Sequence, residues 1–461
     1  MESLFYLNDI ENVLDIGLNG SENNYEPENA PLGDWIENWD FKNVSTDLYT
    51  HKIHRYPAMF IPQLTRKLIQ KFSKQGDTIL DIFCGSGTLL VESKLLNRNA
   101  IGIEINPLAL LISKVKTTPI IKENVPAHYN SLLTNYFDDQ LKYKLVIFNN
   151  IDFWFGKSAI KSISKLIHCI NEIDDRDLSD LMKISLSEII REVSSCRHSG
   201  FKLHKDKEKE KTIWTDELLF EQFHKVFIKN LKGVLEFQIA VESNSASTTL
   251  ISGDSKKTQQ IKNESIDLII TSPPYGDSRT TVAYGQFSRL SSQWLGLGND
   301  LDFDISGLDN ELLGGKTKGI EIDDDVMKKS KTLSLVLEVF NSRLQKLEKE
   351  KDDYKKLYER YKDVVSFYRD LDITLKNGAN YLKQGKYFIL VTGSREVKSI
   401  KLHTDIIISE LAENYGFVLK SIFYRNIINK RMPNKVSSTN IVGEVSPTMT
   451  KESIVVLKKQ I

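Results

Sequence analysis

Cysteine is scarce in this chain of 461 residues: there are three, Cys84, Cys169 and Cys196. The number is odd and no CxxC spacing occurs, which argues against a disulfide framework and against a zinc cluster. No apolar run approaches the ~20 residues needed to cross a bilayer. The N-terminal MESLFYLNDIENVLD lacks the positive stretch that opens a secretory signal. These absences lead to the expectation of a cytoplasmic protein with no membrane partner. Net charge is missing too, with 62 basic against 62 acidic side chains, and this absence excludes less than it suggests. Residues 1–50 hold eleven acids and one base, and residues 276–325 ten acids and four bases. Residues 51–110 carry eight bases and four acids, and residues 376–461 fourteen and six. Neutrality is a cancellation between segments, so a polyanionic partner for the basic ones stays open.

What is present divides the chain into six stretches. Residues 1–50 are acidic and turn-rich. Residues 51–110 hold an amphipathic stretch, IPQLTRKLIQKF, then DTILDIF, a short apolar run suited to a buried parallel strand. The glycines of CGSGT, an apolar helical stripe and a second short strand, NAIGIEI, complete a βαβ unit. Residues 111–250 read as a mostly helical insert and the candidate target-recognition domain. Strand patterning resumes in 251–275 with SIDLIITSPPY. Residues 276–375 form an acidic loop followed by a charged helical stretch whose stripe (Leu337, Phe340, Leu344, Leu347, Tyr354, Tyr358, Tyr361, Val365, Tyr368) predicts a projecting long helix or hairpin. A homodimer seam along it is left open. Residues 376–461 return to α/β alternation.

Two motifs carry chemistry. In LDIFCGSGT (80–88), Gly85 and Gly87 let the backbone turn sharply after a buried strand and bring peptide N–H groups close to a ligand. Asp81 sharpens this otherwise weak signal, because pyrophosphate binders avoid a negative charge there. Glu104, 23 residues on, ends the second strand where a carboxylate takes ribose hydroxyls. An amine, a ribose and no phosphate describe S-adenosylmethionine. The bland reading makes Asp81 and Glu104 capping residues. The second motif is TSPPY (271–275). Pro273 and Pro274 stop the strand and stiffen the backbone, so that carbonyls of Ser272 and Pro273 can accept from an exocyclic NH2 group. Tyr275 offers a ring for a base to stack on.

HRYPAMFIPQL, LDIFCGSGT, IGIEINPLA and TSPPY together resemble the amino-directed DNA methyltransferases, which modify cytosine N4 or adenine N6. The resemblance covers roughly residues 51–110, 251–276 and 380–460. It implies a Rossmann-like α/β sheet with helices on both faces. It assigns Tyr56 and Pro57 to the methionine end of S-adenosylmethionine, and Asp81, Phe83, Cys84, Gly85, Ser86, Gly87 and Thr88 to its amino-acid part. Glu104, Ile105 and Asn106 go to ribose and adenine, Asp254 and Ser255 to the adenine amino group, and Ser272, Pro273, Pro274 and Tyr275 to the flipped base. Serine at 272 is similar to the cytosine-N4 branch. The large insert between the two motifs departs from members in which TSPPY comes first.

The chain has no Pro-Cys, the usual context of a nucleophile for attack at a ring carbon, so the expected reaction is direct displacement at an exocyclic amine of duplex DNA. The expected setting is a restriction-modification system with a separate endonuclease, in the nucleoid of a prokaryotic cell. An adenine-N6 enzyme, an RNA amino-methyltransferase and a non-enzymatic scaffold are the alternatives. RNIINKRMPNK puts Arg425, Lys430, Arg431 and Lys435 on an expected phosphate-contacting hairpin. A second basic run, 191–211, is a solvated loop or a phosphate contact. His51 and His54 lack a third ligand, so no metal is expected.

Overall fold

A computed structural model describes residues 2–15, 39–42, 44–197, 200–277, 281–299, 301–317, 325–427, 435–436, 446–447 and 450–461. Its centre is one seven-stranded sheet. The strands are β1 (Thr78–Asp81), β2 (Asn99–Glu104), β3 (Thr248–Ser252), β4 (Ile266–Thr271), β5 (Leu382–Thr392), β6 (Phe417–Asn426) and β7 (Lys451–Lys459). They lie in the order β3-β2-β1-β4-β5-β7-β6. All neighbours are parallel except β7, which is antiparallel to both β5 and β6. The order reverses at β1 and β4, and in open α/β sheets ligands bind at the carboxyl ends of strands at such a switch point. This is the Rossmann-like sheet expected from the motifs.

Strand alternation sends side chains to two separate cores. Ile79, Leu268, Ile270, Ile389, Val391, Ile454 and Val456 meet α2 (Pro62–Phe72) and α3 (Thr88–Leu95) through Leu64, Leu68, Ile69 and Leu89. Leu80, Ile269, Phe388, Leu390, Val455 and Leu457 face the other way. A third, all-helical core joins α4 (Pro107–Thr117), α5 (Val125–Tyr136), α6 (Lys157–Asn171), α7 (Arg176–Val193) and α8 (Asp216–Ala240). The N-terminal helix α1 (Glu2–Asp15) adds Ile10 and Val13 to it, and α9 (Tyr284–Trp294) adds Leu290 and Trp294. The 110/111 and 250/251 boundaries of the sequence stretches fall inside α4 and β3, so helical part and sheet share elements.

One expectation is corrected. Of the two forms expected for the 333–376 stripe, a long helix or a helical hairpin, the structure has a pair of helices, and it does not project. The stripe is split between α10 (Lys331–Leu344) and α11 (Asp352–Tyr381), with α12 (Thr404–Glu413) beside them. Leu337, Phe340, Leu344, Tyr361, Val365 and Tyr368 are buried in the core under the sheet. The stripe is spent within the chain, which leaves none of those side chains for a homodimer seam. Among the described residues no helix is long and apolar enough to cross a membrane.

Candidate active site

The loop after β1 begins at a carboxylate that burial makes costly to ionise. Asp81 is buried, and its Oδ1 accepts from the Thr271 hydroxyl at 2.6 Å and from Phe83 N–H at 3.0 Å. Burial pushes its pKa up to about 7. Thr271 ends β4, so this bond ties the first motif to the second. Gly87 has φ +79°, and a Cβ there would come within 2.7 Å of Ser113 Oγ and 3.1 Å of Ser113 Cα. The same hydroxyl donates to Gly85 O at 2.8 Å. Gly87→Ala should therefore cost at least about 1–2 kcal/mol for the left-handed backbone alone, measured by denaturant unfolding.

Glu104 closes the next strand. Its carboxylate accepts from Gly85 N–H and Asn106 N–H, each at 2.8 Å, and burial pushes its pKa up to about 7. Asn106 caps α4 by accepting from Leu108 N–H at 3.1 Å, and donates to Tyr56 Oη at 2.8 Å and Ser288 Oγ at 2.7 Å. The stretch leading to Tyr56 is pinned by buried Glu92 of α3, which bonds His51 Nε2 at 2.7 Å and Arg66 Nε at 2.7 Å. His54 instead bonds Ser187 Oγ at 2.9 Å, so the two histidines serve separate partners.

These groups surround a cavity that is open to solvent. Tyr56, Pro57, Phe83, Cys84, Gly85, Ser86 and Thr88 line it, as do Glu104, Ile105, Asn106, Asp254 and Ser255. Asp81 and Gly87 lie behind the wall and shape it. Of TSPPY, Ser272 and Pro274 reach the cavity, whereas Pro273 is buried. Tyr275 is half-buried, and its hydroxyl donates to Glu452 at 2.8 Å while the Ser272 side chain bonds the same hydroxyl.

A second expectation is corrected here. Arg425 cannot hold a phosphate, because it is buried. It donates to Glu452 at 2.5 Å and to Trp39 O at 3.1 Å. The resulting chain runs from Arg425 through Glu452 and Tyr275 to Ser272. Lys430 and Arg431 lie outside the described residues. Lys435 begins a two-residue strand that pairs with Ser446 and Pro447.

A family model for DNA methylases of the N6/N4 type matches residues 13–115. The type II methyltransferase M.MvaI of Kocuria varians is 39% identical over 441 residues, covering 91% of this chain and 93% of that one. The chain belongs to the amino-directed DNA methyltransferase family. The type II methyltransferase M.BsoBI of Geobacillus stearothermophilus is 29% identical over 252 residues, 49% of each chain. The methyltransferase thus belongs with the modification enzymes of restriction-modification systems, and its methyl donor is S-adenosylmethionine. The cavity suits that cation: the acidic residues Glu104, Asp254 and Glu311 line it together with Phe83, Ile105 and Tyr284.

Sequence reasoning missed part of the methyltransferase's cavity. Tyr284, Glu311, Leu312 and Leu313 line it, and all come from the segment read as an irregular acidic loop. Tyr284 stacks on Tyr56 with ring centroids 6.0 Å apart. An aromatic followed by helical spacing (Tyr284, Phe287, Ser288) was the available signal.

Proposed function

We propose that this methyltransferase acts on the N4 amine of cytosine, flipped out of duplex DNA, as the modification partner of a separate restriction endonuclease. The observation that supports cytosine is Ser272 on the cavity wall beside Pro274. A serine there is a small neutral hydroxyl, and it is held by Tyr275, itself held by Glu452. A flipped pyrimidine needs only a short group at its amino edge, whereas the adenine branch of the family usually carries Asp or Asn at this place.

S-adenosylmethionine supplies an electrophilic methyl group on a sulfonium. The protein's part is positioning and electrostatics. Glu104 and Asp254 hold the cofactor's hydroxyl and amino groups, and the 82–88 loop wraps its amino-acid end. Carbonyls of Ser272 and Pro273 would accept hydrogen bonds from the amine and favour a pyramidal nitrogen. Displacement would form the N–C bond as the S–C bond breaks, leaving the neutral thioether, with one amine proton lost to water. Tyr275, with its hydroxyl locked, presents its ring to the base. Flipping costs a few kcal/mol, which contacts in the cavity repay.

Incubation with labelled S-adenosylmethionine and mixed plasmid DNA, followed by digestion to nucleosides, should yield labelled N4-methylcytosine. Labelled 6-methyladenine alone would overturn the cytosine assignment. Tyr275→Ala should lower transfer by one to two orders of magnitude, on the order of the 1–3 kcal/mol that base–aromatic stacking contributes.

A further inference from the structure

The basic run at 191–211 takes no part in the cavity, yet the structure builds it with care. Helix α7 ends at Val193, and its last carbonyls form the negative end of a helix dipole. The Lys209 ammonium fills that end, donating to the carbonyls of Arg191 (3.3 Å), Glu192 (3.0 Å), Ser194 (3.4 Å) and Cys196 (3.0 Å). Two backbone bonds close the loop on itself: Arg197 N–H to His204 O at 2.9 Å, and Asp206 N–H to Ser195 O at 2.7 Å. A helix end that would repel an anion is thereby neutralised from within.

The loop is also fastened to the cavity wall. Leu203 N–H donates to Gln286 Oε1 at 3.3 Å, Phe201 meets Phe287 edge-on at 6.3 Å, and the Arg191 guanidinium lies 5.2 Å from the Phe287 ring centroid. Phe287 in turn packs edge-on against Tyr56 at 5.9 Å, and Tyr56 lines the cavity. Phe287 and Tyr56 thus connect the loop to the cavity.

Its charges are sorted. Glu210 is taken by Lys205 at 2.8 Å and Glu208 by Lys211 at 2.9 Å. Arg197 and Lys207 are exposed, and among the described residues neither has a carboxylate partner. Exposed Glu192 and half-buried Asp206 are the remaining acids.

We infer that this loop, through Arg197 and Lys207, holds the phosphate backbone of duplex DNA while the target base occupies the cavity. The inference rests on the duplex-DNA reading above and adds the surface that grips the duplex. Phosphate contacts are sequence-independent and release counterions, so they have a distinct signature in salt.

The test is fluorescence anisotropy of the full chain with a labelled mixed-sequence duplex across a salt series. Relative to wild type, Arg197→Ala/Lys207→Ala should lower the slope of log affinity against log salt by about 1.8, and weaken binding roughly 60-fold at 0.1 M salt. Calorimetric binding of S-adenosylmethionine should stay unchanged, which reports an intact fold. An unchanged slope with intact cofactor binding overturns the inference. Failure of the parent reading shows separately, in wild type: tighter binding to mixed-sequence RNA than to the duplex would remove the duplex reading and this inference with it.

Discussion

Arg425→Met will destabilise the enzyme by about 1.5–3 kcal/mol, the range for a lost charged hydrogen bond, because Arg425 is buried while its partner Glu452 is only partly so. Glu452, part-buried, would lose its guanidinium and keep, among the described residues, the Tyr275 hydroxyl as its donor. Because Tyr275 and Ser272 hang on that carboxylate, turnover should fall as well, and the loss should appear in kcat more than in KM for the methyl donor. The salt dependence of duplex binding should not change, whereas a phosphate-contacting arginine would lower the slope by about 1. Arg425→Met/Glu452→Met should recover part of the stability, since it removes both charges at once. Denaturant unfolding of the two variants, beside an anisotropy salt series, decides between a buried brace and a DNA contact.

The second large effect concerns Glu104. Glu104→Gln keeps the size of the side chain and removes its charge and one acceptor, so Gly85 N–H and Asn106 N–H can no longer share an ionised carboxylate. Charged hydrogen bonds contribute ~1.5–3 kcal/mol each, so S-adenosylmethionine affinity should fall roughly 100-fold by calorimetry. The pH dependence follows from the direction of the shift. Burial raises the Glu104 pKa from 4.5 to about 7, and that of Asp81 from 3.8 to about 7. The unliganded native protein therefore binds more protons than the unfolded chain between about pH 4 and 7, and these groups' contribution to stability falls as pH rises through that window. Cofactor binding needs the Glu104 carboxylate ionised, so wild-type affinity should rise from pH 6 to 8, with proton release below 7. In Glu104→Gln that rise should be lost.

How much of this was legible depended on how far apart in sequence the cooperating groups lie. The 80–88 loop, Glu104 and TSPPY are local signals: a strand, a turn and the residues beside it lie within a dozen positions, and the sheet brings both motifs to the carboxyl ends of adjacent strands β1 and β4. Tyr284 offered only its helical spacing and Leu313 nothing at all, because only the closed fold carries them back over a loop 200 residues earlier. Arg425 was misread for a related reason. Counting charge reveals its sign but not that Glu452 and the carbonyl of Trp39 are waiting inside. The stripe on α10 and α11 was found by its period, which says that a face is apolar and nothing about what covers it.

Helix α4 starts at Asn106, inside the cofactor site, and ends deep in the helical core through Leu108, Ile112 and Val115. Helix α9 makes the same journey from Tyr284 to Trp294. Two rigid rods thus cross from the sheet to the helices, and neither half can melt without tearing a rod from the other. Calorimetry should accordingly record one heat-absorption peak rather than two, and S-adenosylmethionine should move that whole peak upward as a unit.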